Sequence, residues 1–481
     1  MSQARLAACI PLPLDNKALV NVIEKAKDWA LMHGVGMRDR NHFNTDIIQI
    51  APFVLLPSPF PKAEFFRAVE LQPILNELMH KVAHDDDFLR ATLQNALRVD
   101  EFTASLYDIW TKVKNEEITQ SLCLGLFRSD YLMQQSEQLK IKQVEFNTIA
   151  TSFGALASYL PTQARYILRQ LNHSDMVKNL PENLALSGLC AGIIEAYDLF
   201  GVPDAVVLFV VEEFTYNICD QRFHEFEISD QRPDIIVYRK TLTEIHDEVQ
   251  LNNKKQLILD GKPVAVVYYR SGYEPAQYPS TKEWDARLRV ERSSAIKCPS
   301  IHYQLAGTKK VQQALAVPGV LEKFMGSGPA TNRVRDIFTG LYSLDFDENG
   351  EKAVEMALAD TERFVLKPQR EGGGNNMYGI EVREALLRMR HSRERSAYIL
   401  MERILPPLVS GYVVRPGSTG PPPIVDLVSE LGIYGVIIGS KDKIYTNRQV
   451  GHVLRSKLAD ANEGGVSAGL GALDSPYLVD M

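Results

Sequence analysis

The segment Phe364–Gly379, FVLKPQREGGGNNMYG, is the most informative stretch of this 481-residue chain. An apolar strand delivers Lys367 at its end and a turn carries Glu371. Gly372, Gly373 and Gly374 follow, where the backbone has no Cβ to keep it away from a ligand. Bare N–H groups beside a strand-end lysine suit a polyphosphate, and Glu371 could hold the accompanying Mg2+. The segment is neither a Walker A loop nor a dinucleotide GxGxxG turn. Taken alone, the glycine triplet reads more readily as a flexible hairpin tip.

Three further segments carry candidate chemistry. In VEFNTIATSFG, Val144–Gly154, an extended strand would place Glu145 and Asn147 on one side, two hard oxygen donors that fit Mg2+. An isolated E-x-N is more simply a solvated strand face. YILMERI, Tyr398–Ile404, is an apolar strand ending in a polar link, which could line an adenine slot or serve as a core strand. In GHVLRSKLADANEGGVSAG, Gly451–Gly469, Arg455 and Lys457 lead into a small-residue loop that could fold over an anionic ligand. Read alone, it is a helix end with a Gly-rich exit.

Composition bounds the rest. The 53 Lys plus Arg against 60 Asp plus Glu give a net charge of -7, and no dense basic run is present, which excludes a phosphate-backbone footprint; nucleic acid is not an expected partner. Apolar runs such as Val206–Val211 are far short of the roughly 20 residues a membrane span needs, and the start MSQARLAACIPLP lacks a signal-peptide apolar region, so no membrane partner is expected. Cys9, Cys123, Cys190, Cys219 and Cys298 form no CxxC pair, which argues against disulfides and a structural zinc site and for reduced cytosolic thiols. At roughly 150 residues per domain the length suggests about three domains.

The first 200 residues carry helical spacing over Asn16–His33, Lys62–His84, Asp86–Asn115 and Thr162–Asn172, with Lys142–Asn147 as a strand among them. From about Ala185 to Thr308 short apolar runs alternate with polar or helical stretches, the pattern of a small parallel α/β module. Strands are expected at Arg363–Lys367, Tyr398–Met401 and Glu430–Ile438, with an exposed loop over Pro406–Pro423. Gly188–Gly192 (GLCAG) mimics a nucleophile elbow, but it follows no strand and leads into helical spacing, so Cys190 reads as buried and structural. His84 beside Asp85, Asp86 and Asp87 reads as a solvated helix cap rather than a metal site.

Taken in order with LFRSDY (Leu126–Tyr131), NICDQR (Asn217–Arg222), YYRSGYEPAQY (Tyr268–Tyr278), QLAGTKKVQQ (Gln304–Gln313), SELGIYG (Ser429–Gly435) and VGHVLRSK (Val450–Lys457), these segments resemble the eukaryotic glutathione synthetase family across nearly the whole chain. The resemblance implies an α/β ATP-grasp fold. Residues 1–204 would be a helix-rich body, 205–308 an inserted parallel α/β substrate domain, and 309–481 the ATP-grasp part, with a lid at about 340–425 and a C-terminal loop at 455–469. It implies ATP- and Mg2+-dependent ligation of γ-L-glutamyl-L-cysteine with glycine through an acyl phosphate, with ATP as co-substrate, two Mg2+ per site, and a cytosolic homodimer.

Residue by residue, the resemblance implies metal ligation by Glu145, Asn147 and Glu371, and phosphate contacts from Lys309 and Lys367 under the Gly372–Gly374 loop. Met401 and Ile404 would meet adenine, with Asn376, Tyr378, Glu430, Lys457 and Glu463 completing the nucleotide site. Arg128, Ser152, Asn217, Gln221, Arg270, Tyr273, Arg455, Val466 and Ser467 would surround the dipeptide and glycine, with Arg128 and Arg455 each offering a planar fork to a carboxylate. Arg128, Lys309, Lys367 and Arg455 would be the catalytic cations. The sequence departs from the family pattern at Thr215, Ala150 and Ser467, where Glu, Ser and an Ala-rich loop are usual. Another amine acceptor, or a non-catalytic relative that only binds ligand, are the alternatives.

Overall fold

Aspartates set where several helices begin. Asp15 caps Asn16–Met32 and Asp85 caps Asp86–Leu93. The continuous helix expected over Asp86–Asn115 is interrupted, because the Asp100 carboxylate accepts the Thr103 N–H at 2.7 Å and starts a second helix at Glu101–Asn115. The computed structural model describes residues 3–136, 138–371, 373–466 and 469–481. The helix expected from Thr162 begins earlier, at Gly154–Gln170, with Pro161 in its interior. Cys190 lies fully buried within the helix Ala185–Phe200, in keeping with the structural reading of that segment.

Among the described residues, fourteen strands join in one sheet. Its centre is a run of long antiparallel neighbours: Lys443–Leu458, Ile424–Ser440, Cys123–Gln134 and Lys140–Asn147. Cys123–Gln134 lies in a region that reads as helical apart from Lys142–Asn147. Ten of its twelve residues are buried, so it lacks the polar-apolar alternation that marks a half-exposed strand.

The parallel module is present, with strands Ile236–Lys240, Val206–Val210, Lys262–Tyr269 and Ile296–Cys298 side by side. It has no separate sheet, however. Lys297 pairs with Cys123, so the module extends the central sheet. A second sheet, ordered Leu341–Ser343, Tyr398–Glu402, Phe364–Pro368, Met377–Tyr378, does stand apart. Helices Glu348–Ala359 and Ile380–Met389 close it over a core that includes Leu344, Val354, Leu366, Leu386 and Leu400. The expected 340–425 unit is shorter than that: Leu408–Val414 already pairs with Arg5–Leu6, Phe53–Val54 and Ile424–Ser440 of the large sheet.

One buried acid ties the C-terminal strand to this scaffold. Asp474 accepts from Ser456 Oγ at 2.5 Å, Ser58 Oγ at 2.6 Å and the Ser475 N–H at 2.7 Å. Burial nevertheless outweighs these bonds and pushes its carboxyl up to about 7. The folded state then binds more protons than the unfolded chain between the ordinary carboxylate range and about pH 7. The stability gained from this group is therefore complete at acidic pH and lost as pH rises through about 7. Asp474→Asn should flatten the decline in urea midpoint between about pH 4 and about pH 7.

Candidate active site

Strand register assembles the first half of the site. Arg128 faces Asn147 and Asp130 faces Glu145 across one strand pair, while Glu430 faces Arg455 across another. Gly432 lies opposite Asp130 between them. Asp130 has no solvent exposure. It accepts from Arg128 Nε at 2.6 Å and Nη2 at 2.8 Å, from Arg455 Nη2 at 2.9 Å and from Asn147 Nδ2 at 3.0 Å. The expected free fork of Arg128 is thus already engaged by a protein carboxylate, which leaves Nη1, donated to the Ser152 carbonyl at 3.2 Å. Arg455 also pairs with Glu430, and its buried Nε has no hydrogen-bond partner.

The second half comes from three other segments. Lys309, first residue of the helix Lys309–Leu315, is buried and places Nζ 3.0 Å from Glu145 Oε2 and 3.0 Å from Glu371 Oε2. Lys367, from the middle of the small sheet, donates to the Val144 carbonyl at 3.0 Å. The two sheets therefore meet at this point. Burial raises Glu145, but Lys309 and Lys367 reverse the effect and hold it below the usual carboxylate range. Glu371 goes the other way, raised by burial and by the charge of Glu145 against the pull of Lys309. Burial lowers Lys367 and raises Glu430.

Met401 pairs with Val365 and is buried, as is Ile404 just beyond the strand end. Tyr378 pairs with Val365 on the opposite side. The Glu463 carboxylate accepts from the Gly374 N–H and from the Asn376 N–H, at 2.9 Å for the latter, and so joins the glycine turn to the C-terminal loop. Gly373 and Gly374 have positive φ, 67° and 81°, which only glycine adopts freely. Lys457 Nζ donates to the Asn462 carbonyl, and Val466 is buried. Gly372 and Ser467 lie outside the described residues.

A family model described as "Eukaryotic glutathione synthase, ATP binding domain" matches residues 16–478. The chain belongs to the eukaryotic glutathione synthase family. It is 44% identical over 97% of its length to glutathione synthetases of Xenopus laevis and Homo sapiens, covering 98% of each. It is 39% identical over 97% of its length to the chloroplastic enzyme of Arabidopsis thaliana, covering 86% of that chain. An apo glutathione synthetase-like effector from Globodera pallida shares the fold, with a TM-score of 0.78 and 25% identity, covering 97% of this chain and 98% of that one.

The residues that the family resemblance assigns to the dipeptide form a connected group. Arg270 donates to Ser152 Oγ at 3.1 Å and to Asp220 at 2.9 Å; Asn217 Nδ2 reaches Asp220 at 3.4 Å, and Asn217 Oδ1 is buried without a partner. Tyr434 donates to the Ser152 carbonyl at 2.5 Å. Gln221 and Tyr273 sit further out, Gln221 accepting from Arg239 at 2.8 Å and Tyr273 donating to Glu212 at 3.4 Å. Thr215 accepts from Arg239 at 3.3 Å. Ala150 and Phe153 lie in the left-handed region, φ 51° and 73°. That conformation costs about 1–2 kcal/mol per L-residue, and Asp220 offsets it by accepting the Phe153 and Ala155 N–H groups, both at 2.9 Å.

Asp130 and Asp220, which hold candidate site residues in place, are the acids that the sequence reading passed over. In LFRSDY Arg128 and Asp130 stand two apart, but that spacing puts them on one face only once Cys123–Gln134 is known to be a strand. Asp220 had no such spacing, because its partner Arg270 is fifty residues away. Gly432 leaves room for the first network: a Cβ there would lie 2.7 Å from Asp130 Oδ1 and 2.8 Å from Arg128 Cδ. Gly432→Ala should therefore displace the Arg128–Asp130 pair and cost about 1–3 kcal/mol of stability, read as a lower urea midpoint.

Proposed function

We propose that this chain is a glutathione synthetase, an ATP-dependent ligase that joins γ-glutamylcysteine to glycine. The observation that carries the reading is the convergence of Glu145, Lys309, Lys367 and Glu371 between the two sheets, in a chain 44% identical to glutathione synthetases over 97% of its length.

The dipeptide carboxylate attacks the γ-phosphoryl of ATP, ADP leaves, and the glycine amine displaces phosphate from the acyl phosphate to form the peptide bond. The residues position the reactants and neutralise charge. Lys309 and Lys367, held among carboxylates, are placed to turn toward nucleotide phosphates. Arg455, with Nε free, is placed to orient a substrate carboxylate. Asp130 holds Arg128, Arg455 and Asn147 in their rotamers. Glu145 and Glu371 both reach a single cation, here the Lys309 ammonium at 3.0 Å from each. Asn147 directs its amide nitrogen to Asp130, which leaves Oδ1 as a donor atom. This oxygen set fits Mg2+, which supplies neutralisation of the phosphoryl oxygens when bound; two ions are expected per site.

In the same reading the small sheet Leu341–Glu402 and the Glu463-linked turns act as the lid that excludes water. The nucleotide's adenine sits against Met401 and Ile404. The supported compartment is the cytosol: the five cysteines are buried and unpaired, and among the described residues no helix is long and apolar enough to cross a membrane. A homodimer rests on the family resemblance alone.

Purified protein given ATP, Mg2+, γ-glutamylcysteine and glycine should release phosphate faster than without glycine. Equal rates, or nucleotide binding without turnover, would sink the reading, and competing β-alanine or serine against glycine identifies the acceptor. Glu371→Ala should lower kcat about a hundredfold by weakening metal binding. At Arg128 the fairer variant is Lys, because Ala would strip the buried Asp130 of one of its two arginine partners and two of its four hydrogen bonds, at a cost of up to about 3–5 kcal/mol. Arg128→Lys should mainly raise the dipeptide KM, by about tenfold or more. The opposite pattern would mean the two sites are exchanged.

A further inference from the structure

Away from the candidate active site, three chain segments place soft and borderline donors together. One ring nitrogen each of His84 and His302 and the Cys123 sulfur all lie within 4.8 Å of one another. His84 is the C-cap of the helix Lys62–Ala83, Cys123 is the first residue of the strand that carries Arg128, and His302 is the second residue of the helix Ile301–Ala306 that leads to Lys309.

The contacts around these groups are long at Cys123 and His302 and leave one nitrogen of His84 open. His84 Nδ1 bonds the His80 carbonyl at 2.8 Å; that fixes its proton on Nδ1 and leaves a lone pair on Nε2, the arrangement seen at metal-binding histidines. His80 has both ring nitrogens occupied, by Tyr303 at 2.5 Å and the Ser440 carbonyl at 3.0 Å, so it stands outside the ligand set. His302 is buried, its Nδ1 has no hydrogen-bond partner, and its Nε2 lies 3.4 Å from both Cys123 Sγ and Ser300 Oγ, a hydroxyl that would turn away on ligation. Ligands on a tetrahedral zinc, with Zn–S near 2.3 Å and Zn–N near 2.0–2.1 Å, stand about 3.5 Å apart. Two of the three donors are thus already at the required spacing.

Burial keeps both imidazoles neutral, as ligation requires, by lowering His84 and His302. It also pushes the Cys123 thiol up to about 11, so a metal ligated there has to displace the thiol proton. His84 is half-buried and gives access from solvent, which can fill the fourth position.

We infer that His84, Cys123 and His302 form a binding site for a borderline-soft divalent cation, Zn2+ foremost, that staples the helix end, the strand of Arg128 and the segment before Lys309. The site is separate from the hard oxygen set of Glu145, Asn147 and Glu371, which suits Mg2+.

The test uses full-length protein freed of metal with a chelator and kept without ATP or thiol substrates, with Co2+ as spectroscopic probe and Zn2+ in competition. One equivalent of Co2+ should give a thiolate-to-cobalt charge-transfer band, displaced by Zn2+, with a rise in Tm. Cys123→Ser should abolish the band, and His84→Ala should weaken Zn2+ at least tenfold while phosphate release without added Zn2+ stays at the parent level. His84 is half-buried, so its replacement supplies a folded variant if Cys123→Ser proves unstable. Absence of the band in folded parent protein would reduce the cluster to a thiol–imidazole hydrogen bond and overturn the proposal, and so would a band or a Zn2+ affinity unchanged in the variants.

Discussion

A carboxylate with no access to water has to be neutralised where it lies, and Asp130 is such a group. Its neighbours on three strands, Arg128, Asn147 and Arg455, supply that neutralisation, so the register of the central sheet and the positions of these side chains are one constraint. A slip of one residue in the intervening pairings would turn Asn147 or Arg455 to the opposite face and leave Asp130 with Arg128, which shares its strand. The same constraint requires glycine at 432, since the Arg128 stem and the Asp130 carboxylate occupy the space a side chain would need.

From that fixed array the site grows outward through alternating charge. Arg128 and Arg455 lie against Asp130, Lys309 lies against Glu145, and Glu371 lies against Lys309. Each buried charge of one sign lies against one of the other. This explains how so many ionised groups occur together, and why Glu145 and Glu371 shift in opposite directions despite sharing one ammonium. An array of this kind has little to reorganise when an anionic nucleotide arrives, because the ion pairs can be exchanged for ligand contacts one at a time.

The small sheet bears on the same point from a different direction. Its core is its own, yet Lys367 reaches across to the Val144 carbonyl and Lys310 anchors Ser343 and Asp345 at 2.7 and 2.6 Å. A unit with a separate core and a few polar tethers is suited to moving as a body, whereas a unit sharing a continuous sheet is not. The parallel module at Val206–Cys298 is of the second kind, since its last strand pairs with Cys123.

Much of this was legible from the chain. Lys367, Glu371 and the glycine turn could be placed because a strand end, a charged residue and a φ-permissive triplet are local features. Glu145 and Asn147 could be put on one face because a strand has a two-residue period. The order of the motifs sufficed for the family. Other features were beyond local reading. Cys123–Gln134 is buried almost throughout and shows no alternation, so its strand character appears only once its neighbours are in place. Asp130 and Asp220 become meaningful only when Arg455 and Arg270, remote in sequence, are brought beside them. His84 reads as a cap beside three aspartates until the fold sets Cys123 and His302 next to it. The sequence by itself determined which chemical groups were available and their local geometry, because propensity and periodicity act over a few residues. Tertiary structure decided which groups neutralise one another, because the pairing of buried charges depends on distance in space.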